Sequence, residues 1–495
     1  MMDFFVFLTN TVGATIFLAP LLAVMTGLVI GIIFGLLPGL GPLLGVTLAI
    51  PFTFSLDPVT GIALLMGIYQ GGSYGGAITA IVLGIPGTPI AAATLLDGRP
   101  MALNGKVNEA ISLATLASWF GGIISGIILL IAAPKLASVA LAFGPAEIFA
   151  LALLGLTAIA TLSQGAVIKG LLSGIAGLLL ATVGTDQYTG VSRFDFGMQQ
   201  LSGGLTFVAV LVGLFAISEV LIQIETPIRS VKKGLHVRFR TNIFRSLGSR
   251  FSTYISSSVI GVCIGVIPGI GGVVSSFLSY KFAQETSRNG CFGEGEPRGV
   301  IATEAANSAS TGGSLLPMLS VGIPGDPIVA VMMGGMLVHG LTPGPMLFFT
   351  NIEILDQIFL MFIAGAILLL PLGILLLPAF SWILRIPQPL LIAFVAMLAT
   401  YGTFTVNHRF FDLQIMLVFG FLGYFMRKTA IPASPLIIGF VLGPVAEVQL
   451  RRMTAMAGDS PGTYLMGHPL AATILLFAFL SLMLPIIRTV LAARR

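Results

Sequence analysis

Charged residues are scarce in this chain. Of its 495 residues, 24 are Lys or Arg and 19 are Asp or Glu, so that 9% carry a charge, whereas soluble domains average about 25%. The surface of a soluble protein needs roughly 25–35% charged residues. This composition therefore excludes a soluble enzyme, a nucleic-acid-binding protein and a disordered chain. With 56% apolar residues, the chain is predicted to be an integral membrane protein that lies mostly in the lipid bilayer.

Cysteine and histidine are rare as well. The two cysteines, Cys263 and Cys291, exclude a disulfide scaffold and a cysteine-based metal site. The four histidines are dispersed, and none is paired at the spacing of metal ligands. The motifs His-x-x-Glu-His and His-Glu-x-x-His are missing, which weakens the alternative of a membrane-embedded enzyme. A passive anion channel remains a further alternative.

Basic residues are missing from the first 98 positions. A cleaved secretory signal needs a basic n-region, so the amino terminus is predicted to stay as a first membrane helix. Residues 226–250 form the densest basic stretch and contain no acid. By the positive-inside rule this stretch faces the cytoplasm, as a loop on anionic lipid rather than a nucleic-acid site. It divides the chain into a first membrane-embedded half, residues 1–225, and a second, residues 251–495.

Several apolar runs reach the roughly 20 residues that are needed to cross a bilayer. They are Val107–Ala132, Ala137–Leu162, Gly165–Gly184, Gly204–Gln223, Gln357–Leu377 and Ala471–Ile487. These runs lack the period-two alternation of β-barrel strands. When shorter runs broken by Gly or Pro are included, we expect an all-α polytopic membrane protein with roughly 12 embedded segments.

Two motifs occur once in each half. Residues 31–41 (GIIFGLLPGLG) and 261–271 (GVCIGVIPGIG) share every Gly and Pro at a constant offset, and residues 84–89 (GIPGTP) are echoed by residues 322–327 (GIPGDP). A small polar stretch precedes the second motif in both halves. The chain is therefore predicted to be a duplicated unit with two internal repeats, which we expect to be inverted in the membrane.

The repeated motifs predict broken helices at membrane depth. Pro-Gly-x-Gly ends a helix, and broken backbone is tolerated there only where it is buried in protein or lines a wet cavity. Matched breaks in two halves indicate the binding site of a transporter, where helix N-termini attract anions and unwound carbonyls coordinate cations. The four glycines of Gly31-x-x-x-Gly35 and Gly261-x-x-x-Gly265 are better explained by close helix packing.

We predict one central substrate site formed by both halves. Its substrate-binding residues are Gly39, Gly41, Ser73, Tyr74, Gly75, Gly76, Thr79, Gly269, Gly271, Asn307, Ser308, Ser310, Thr311, Gly312 and Gly313. A second set is predicted to form hairpin tips that gate the site or couple it to an ion: Pro86, Gly87, Thr88, Pro324, Gly325 and Asp326.

Long motifs in a fixed order also resemble a known family. Residues 69–89 (YQGGSYGGAITAIVLGIPGTP) continue into 96–102 (LDGRPMA), and the second half adds 265–272, 304–308 (EAANS), 322–325 and 339–345 (HGLTPGP). Together they resemble the large membrane subunit of tripartite tricarboxylate transporters, the TctA family. Gly84 stands where that family often has asparagine, and Asp326 where it commonly has a small hydroxyl residue. Both departures leave the exact substrate open.

The resemblance implies a secondary transporter, not an enzyme, that takes up small di- and tricarboxylates across the bacterial inner membrane. Its implied partners are a small membrane subunit and a periplasmic solute-binding protein that delivers the substrate; a homodimer is left open. No cofactor is expected. The implied coupling ion is Na⁺, with H⁺ as the alternative. Neutral donors could hold the carboxylate, and co-bound Na⁺ would supply the positive charge.

A few polar residues in apolar surroundings admit two interpretations. An ionised Asp in the bilayer costs roughly 2.5–3.5 kcal/mol, so Asp326 is either a cation ligand or protonatable coupling residue, or the N-cap of the following helix. Glu304 is expected to cap a helix or pair with Arg298. Tyr69 and Tyr74 are expected to anchor the protein at the membrane interface rather than to stack on substrate.

Overall fold

The computed structural model describes residues 17–37, 39–140, 143–161, 167–186, 188–225, 237–268, 271–287, 290–383, 386–458, 464 and 467–493. These residues form an all-α protein. Its helices are α1 (Leu18–Leu36), α2 (Gly41–Thr53), α3 (Pro58–Leu83), α4 (Leu95–Leu103), α5 (Val107–Ala140), α6 (Pro145–Thr161), α7 (Val167–Leu180), α8 (Phe207–Glu225), α9 (Arg245–Ser249), α10 (Phe251–Gly265), α11 (Gly271–Thr286), α12 (Pro297–Val321), α13 (Pro327–Val338), α14 (Leu347–Thr350), α15 (Ile352–Ile383), α16 (Gln388–Asn407), α17 (Phe410–Lys428), α18 (Ser434–Ala457) and α19 (Pro469–Ala493).

Six of the described helices are long and apolar enough to cross a membrane: α1, α5, α8, α15, α16 and α17. Six apolar stretches of 10–17 residues accompany them, in α2, α6, α7, α10, α13 and α19. Helices α2, α7, α10 and α13, with 12–15 residues, are too short to cross about 30 Å of hydrocarbon alone, whereas α6 has 17 residues and α19 has 25. The chain is thus a polytopic α-helical membrane protein.

Helices break at the four places that the Gly/Pro motifs predict. Helix α1 ends at Leu36 and α2 begins at Gly41, while α10 ends at Gly265 and α11 begins at Gly271. At the second motif, α3 and α12 both end on a left-handed glycine, Gly84 with φ 73° and Gly322 with φ 84°. Only glycine adopts this backbone without steric strain, so both helices stop where the sequence places that residue.

The predicted run Ala137–Leu162 is wrong as a single segment. Helix α5 continues from the previous run as far as Ala140, and α6 begins at Pro145. Proline fits the first helical position because its ring fixes φ and that position needs no amide donor. The Glu147 carboxylate, in the first turn of α6, accepts a hydrogen bond from the Gly144 amide at 2.8 Å. Hydropathy alone did not show this boundary, since most of the neighbouring residues are apolar.

Helices α3 and α12 lie at the centre of the protein and are buried along nearly their whole length. They have 26 and 25 residues, and each contains nine Gly, Ser and Thr residues. Asn307 of α12 donates from Nδ2 to the carbonyl oxygen of Ser73 on α3, at 3.1 Å. The central layer is therefore a crossing of two buried helices that carry polar groups, inside an apolar shell.

Glycine allows the flanking helices to approach this layer closely. A Cβ at Gly31 of α1 would lie 2.3 Å from the carbonyl oxygen of Ile68 on α3, and a Cβ at Gly261 of α10 would lie 2.5 Å from that of Ala306 on α12. Contacts under 3.0 Å are not tolerated, so both helix pairs depend on the missing side chain. The packing interpretation of these two glycines is confirmed.

A short hairpin precedes α8 and is held by charged residues. Gly184–Thr185 pairs antiparallel with Ser192–Arg193. Asp186 accepts a hydrogen bond from Arg451 at 2.6 Å, and Arg193 donates to Glu447 at 2.7 Å. The amide of Tyr188 and the Arg451 guanidinium stabilise the ionised carboxylate and lower the pKa of Asp186 to about 2. This network fixes the hairpin to α18.

Candidate functional site

The two Ile-Pro-Gly-x-Pro loops fold back onto their own helices in the same way. The Gly87 amide donates to the carbonyl oxygen of Gly76, and the Gly325 amide donates to that of Ser314, both at 3.3 Å. The residue after each glycine then caps the helical segment that follows, which is the short 3₁₀ helix Pro89–Ala92 after Thr88 and α13 after Asp326. Thr88 accepts from the amide three residues on at 3.3 Å, and Asp326 does so at 2.8 Å. Thr88 and Asp326 can act as caps because their short side chains carry an oxygen that accepts from a backbone amide.

Asp326 has two roles at its loop. Its Oδ1 caps α13 by accepting from the Val329 amide, which confirms the capping interpretation. Its Oδ2 accepts a hydrogen bond from the Tyr69 hydroxyl of α3. Tyr69 is fully buried, and Tyr74 is also fully buried, with its hydroxyl 2.7 Å from that of Thr115. The expectation that these two tyrosines anchor the protein at the membrane interface is therefore wrong.

Glu304 lies at the centre of a polar cluster. It is 0% exposed and sits inside α12, seven residues after Pro297, so it does not cap the helix. Arg298 does not pair with it either, since that guanidinium donates to Ser287. The Glu304 carboxylate accepts instead from the Thr94 hydroxyl, from Ser118 Oγ at 3.3 Å and from Asn307 Nδ2 at 3.3 Å. The expected cap or ion pair is thus replaced by three neutral donors.

Several buried polar atoms on the two central helices have no hydrogen-bond partner. They are Gln70 Oε1, Ser73 Oγ, Asn307 Oδ1, Ser308 Oγ and Ser314 Oγ. Buried polar groups are normally paired, and unpaired ones call for an explanation such as a bound water, ion or ligand. Two of these residues, Gln70 and Ser308, line a cavity of about 10 Å³ together with Ser118, Gly122, Thr311, Ala366 and Leu369. This volume is enough for about one water molecule.

The predicted substrate-binding residues of α3 and α12, apart from Tyr74, fall into three groups, and Thr311 belongs to two of them. Ser73, Asn307 and Ser308 carry the unpaired polar atoms, and Thr311 lines the cavity. The hydroxyls of Thr79, Ser310 and Thr311 donate to carbonyl oxygens of their own helices at 2.7–3.0 Å. Gly75, Gly76, Gly312 and Gly313 lie inside α3 and α12 at close helix contacts.

The remaining predicted residues lie at the breaks. Gly39 and Gly41, with φ 87° and 63°, and Gly271, with φ 55°, have left-handed backbones beside the breaks, and Gly269 lies outside the described residues. A Cβ at Gly87 would lie 2.2 Å from the carbonyl oxygen of Gly35, and one at Gly325 would lie 2.9 Å from that of Gly265. In both halves, the two breaks therefore lie against each other. Pro86 and Pro324 precede these tightly packed glycines.

Three polar residues of this centre were not predicted: Gln70, Thr94 and Ser118. Gln70 Nε2 donates to the carbonyl oxygen of Phe362 on α15 at 3.0 Å, which leaves its Oε1 without a donor. Ser118 lies in a long apolar helix and Thr94 in a connection, so neither belongs to a repeated motif. The sequence indicated part of this cluster only through the spacing Glu304-x-x-Asn307. Residues three apart share one face of a helix, so these two side chains lie on the same face of α12.

These features define the class of protein: a polytopic membrane protein whose two central helices carry unpaired polar groups and end in matched breaks, as in transporters. Comparison with known proteins supplies the family. Residues 21–438 match the Tripartite tricarboxylate transporter TctA family, and the chain belongs to it. It is thus a membrane component of a tripartite tricarboxylate transporter, a family that implies partner subunits.

Two relatives come from Agrobacterium vitis. An uncharacterised 52.8 kDa protein in the TAR-I ttuC′ 3′ region is 37% identical over 433 residues, covering 86% of this chain and 85% of the relative. An uncharacterised protein in the TAR-II ttuC′ 3′ region is 35% identical over 234 residues, covering 46% of this chain and 96% of the relative. No solved structure matches the chain.

Proposed function

We propose that this chain takes up small di- and tricarboxylates across the bacterial inner membrane by ion-coupled secondary transport. A periplasmic solute-binding protein delivers the substrate, and a small membrane subunit completes the transporter. The crossing of α3 and α12 is the substrate site. The observation that carries the proposal is the set of buried, unpaired polar atoms at this crossing, in a chain of a carboxylate-transporter family.

The chemistry of the crossing suits an anion. The hydroxyls of Ser73 and Ser308 have no partner, so each can donate a hydrogen bond to a carboxylate oxygen. Bonds from neutral donors to a charged acceptor contribute roughly 1.5–3 kcal/mol each. Such a site binds without a permanently charged partner, which makes its affinity easy to change when the helices move. A transporter needs this property because it must release its substrate.

The matched contacts support a two-repeat mechanism. Both halves share the left-handed helix ends, the Gly-amide bonds onto the central helix and the close approach of the two breaks. We propose that they are inverted repeats whose relative movement exposes the crossing to one side of the membrane at a time. A cavity of about 10 Å³ is far smaller than a dicarboxylate, so in this scheme the present conformation is closed and opens to bind substrate.

Reconstituted uptake tests the proposal. Proteoliposomes containing this chain and its small membrane subunit are supplied with the solute-binding protein and with labelled citrate or succinate, under an imposed Na⁺ or pH gradient. We expect saturable accumulation of at least one of these carboxylates above equilibrium, and none of acetate. Equilibration without accumulation would indicate a passive channel, and the absence of any carboxylate movement would refute the transport function.

A further inference from the structure

We propose that Asp97 and residues 293–296 form a latch that holds the cytoplasmic side of the protein closed, and that release of this latch opens the crossing of α3 and α12 to the cytoplasm. The inference rests on the proposed function and assigns the gate on one side of its substrate site. Asp97 lies on α4 of the first half, whereas residues 293–296 directly precede α12 of the second. The latch therefore joins the two halves and must break when they separate at this point.

The latch is a buried carboxylate held by backbone amides. Asp97 is 1% exposed. Its Oδ1 accepts three hydrogen bonds, each at 2.8 Å, from the amides of Gly293, Gly295 and Glu296. Gly293 and Gly295 have φ 91° and 107°, a backbone that favours glycine and turns successive amides toward one anion. Hydrogen bonds to a charged acceptor are stronger than those between neutral groups, so three bonds to one oxygen hold the loop firmly.

The shape of α12 leaves room for this carboxylate. A Cβ at Gly299, in the first turn of α12, would lie 2.0 Å from Asp97 Oδ2. At the far end of α4, Asn104 Nδ2 donates to the carbonyl oxygen of Glu294 at 3.4 Å. The loop before α12 therefore contacts α4 along the whole length of that short helix.

The latch covers the path from this side to the crossing. Contacts follow one another along α12: Asp97 lies at its first turn, Thr94 donates to Glu304, and Asn307 donates to the carbonyl oxygen of Ser73 at the crossing. Thr94 is the residue before α4, three positions from Asp97. A movement of α4 that breaks the latch therefore also withdraws Thr94 from Glu304 and uncovers the crossing.

The latch lies on the same side as the basic stretch, residues 226–250. Helix α5 begins soon after α4 ends, and its first two turns bond to that stretch. Asn108 Oδ1 accepts from the Arg238 amide and Ser112 Oγ from the Arg240 amide, both at 2.9 Å. The positive-inside rule places the basic stretch in the cytoplasm, so the latch closes the cytoplasmic side.

The matching contact at the opposite end lacks such bonds. Helices α3 and α12 run antiparallel, since Tyr69 in the first half of α3 contacts Asp326 beyond the end of α12. His339 packs on the start of α3 as Asp97 packs on the start of α12, because a Cβ at Gly61 would lie 2.7 Å from His339 Nε2. That nitrogen is buried and has no hydrogen-bond partner among the described residues. The periplasmic contact is therefore the weaker of the two, and the closed protein opens first toward the side from which substrate arrives.

Labelling of a cysteine at the crossing tests the latch. Cys263 and Cys291 are replaced by serine, Ser308→Cys is introduced, and a membrane-impermeant thiol reagent is added to inside-out or right-side-out vesicles without substrate. We expect Asp97→Ala to raise the labelling rate roughly tenfold or more in inside-out vesicles, because three bonds to a charged group are lost. Asp97→Asn keeps an acceptor oxygen and should raise the rate less. His339→Ala, the matched control, should leave it unchanged. An unchanged rate in Asp97→Ala, or an increase only in right-side-out vesicles, would overturn the proposal.

A reversible cross-link separates the latch from misfolding. Asn104→Cys and Glu294→Cys, combined in the cysteine-free background, lie on opposite sides of the latch, and a short bifunctional thiol reagent joins them by disulfides. We expect the cross-link to abolish carboxylate uptake and a reductant to restore it, whereas the reagent should not stop uptake by either single-cysteine variant. Continued uptake by the cross-linked protein would overturn the latch. Labelling needs no substrate and decides the latch independently, so a failure of every variant to take up carboxylate refutes the proposed function alone.

Discussion

Ser73 and Ser308 bring hydroxyl groups into the buried centre of the protein without giving them a partner. Ser320, a buried serine on the same helix as Ser308, instead donates to the carbonyl oxygen of Leu316 at 2.6 Å. An unpaired buried hydroxyl is destabilising unless something else bonds to it. This contrast distinguishes the hydroxyls that we propose to contact substrate from those that hydrogen-bond to a carbonyl oxygen of their own helix.

Ser308→Ala should raise the KM for carboxylate uptake about tenfold, because one bond to a charged group is worth roughly 1.5 kcal/mol and 1.4 kcal/mol corresponds to a factor of ten. The maximal rate should change little if substrate and transition state lose the same contact. Concentration-dependent uptake in proteoliposomes measures both. Ser320→Ala on the same helix is the control, and an equal KM in the two variants would contradict the assignment.

Asp326 should stabilise the protein as the cap of α13, and its negative charge should matter little for stability. Asp326→Asn keeps an oxygen that can accept from the Val329 amide, so its thermal stability should stay near that of the wild type. Asp326→Ala removes the cap, a loss of roughly 1 kcal/mol, and also the Tyr69 partner. Melting of the purified protein in detergent compares the three. Equal melting temperatures for the Asn and Ala variants would show that the cap contributes nothing.

At this scale the sequence predicted the polar stretches but not the roles of individual side chains. Asn307 and Ser308 were predicted as site residues and lie at the crossing. Glu304, three residues before Asn307, was assigned to a cap or ion pair, because nothing in one sequence shows that Thr94 and Ser118 approach it. Such contacts between distant segments depend on tertiary packing, which local patterns do not record.

Glycine residues determine how closely neighbouring helices can approach each other. Gly71 of α3 faces Leu28 of α1, and a Cβ there would lie 2.3 Å from the Leu28 carbonyl oxygen. Backbone cannot move aside as a flexible side chain can. The α1–α3 contact therefore depends on this residue as much as on the complementary apolar surface.

Gly71→Ala should separate α1 from α3 and destabilise the protein by about 1–3 kcal/mol, the range typical of overpacking. A lower melting temperature in detergent is the expected result. Gly248→Ala in α9 is the matched control, since a Cβ there meets nothing within 4 Å. If both variants melt with the wild type, the close approach of the two helices is not a determinant of stability.

The hairpin before α8 should show a defined pH dependence. The pKa of Asp186 is lowered to about 2 by the Tyr188 amide and by Arg451, from an ordinary value of about 3.9. A lowered pKa gives stability that is present above about pH 4 and is lost as the pH falls toward 2. The melting-temperature difference between wild type and Asp186→Asn should be constant at neutral pH and shrink below pH 4. A difference that does not change with pH would contradict this.

Helix ends were predictable where chemistry is local. The four Gly/Pro breaks follow from φ > 0 at glycine and from the missing amide of proline, and all four lie where the sequence predicts. The boundary between α5 and α6 was missed, because hydropathy does not change across it. Only Pro145 and Glu147 mark that boundary, and residues of these two types also occur inside longer apolar stretches.

At the scale of the whole molecule, the two halves share one centre. Helix α5 of the first half packs on α12 of the second, where a Cβ at Gly121 would lie 2.2 Å from the carbonyl oxygen of Ala305. Helix α15 of the second half packs on α3 of the first through the Gln70–Phe362 hydrogen bond. The duplicated motifs predicted two similar halves, but not that a helix of each half packs on the central helix of the other. This packing brings polar groups of both halves to one site.

If the crossing of α3 and α12 is the carboxylate site, bound substrate should protect it from chemical modification. Cys263 and Cys291, both exposed, are replaced by serine. Single cysteines are then placed at Ser73 or Ser308, and at the exposed Gly203 as a control. We predict that a membrane-permeant thiol reagent labels all three positions, and that saturating citrate or succinate protects positions 73 and 308 but not 203. Labelling at 73 and 308 that is unchanged by carboxylate, or absent altogether, would contradict the account.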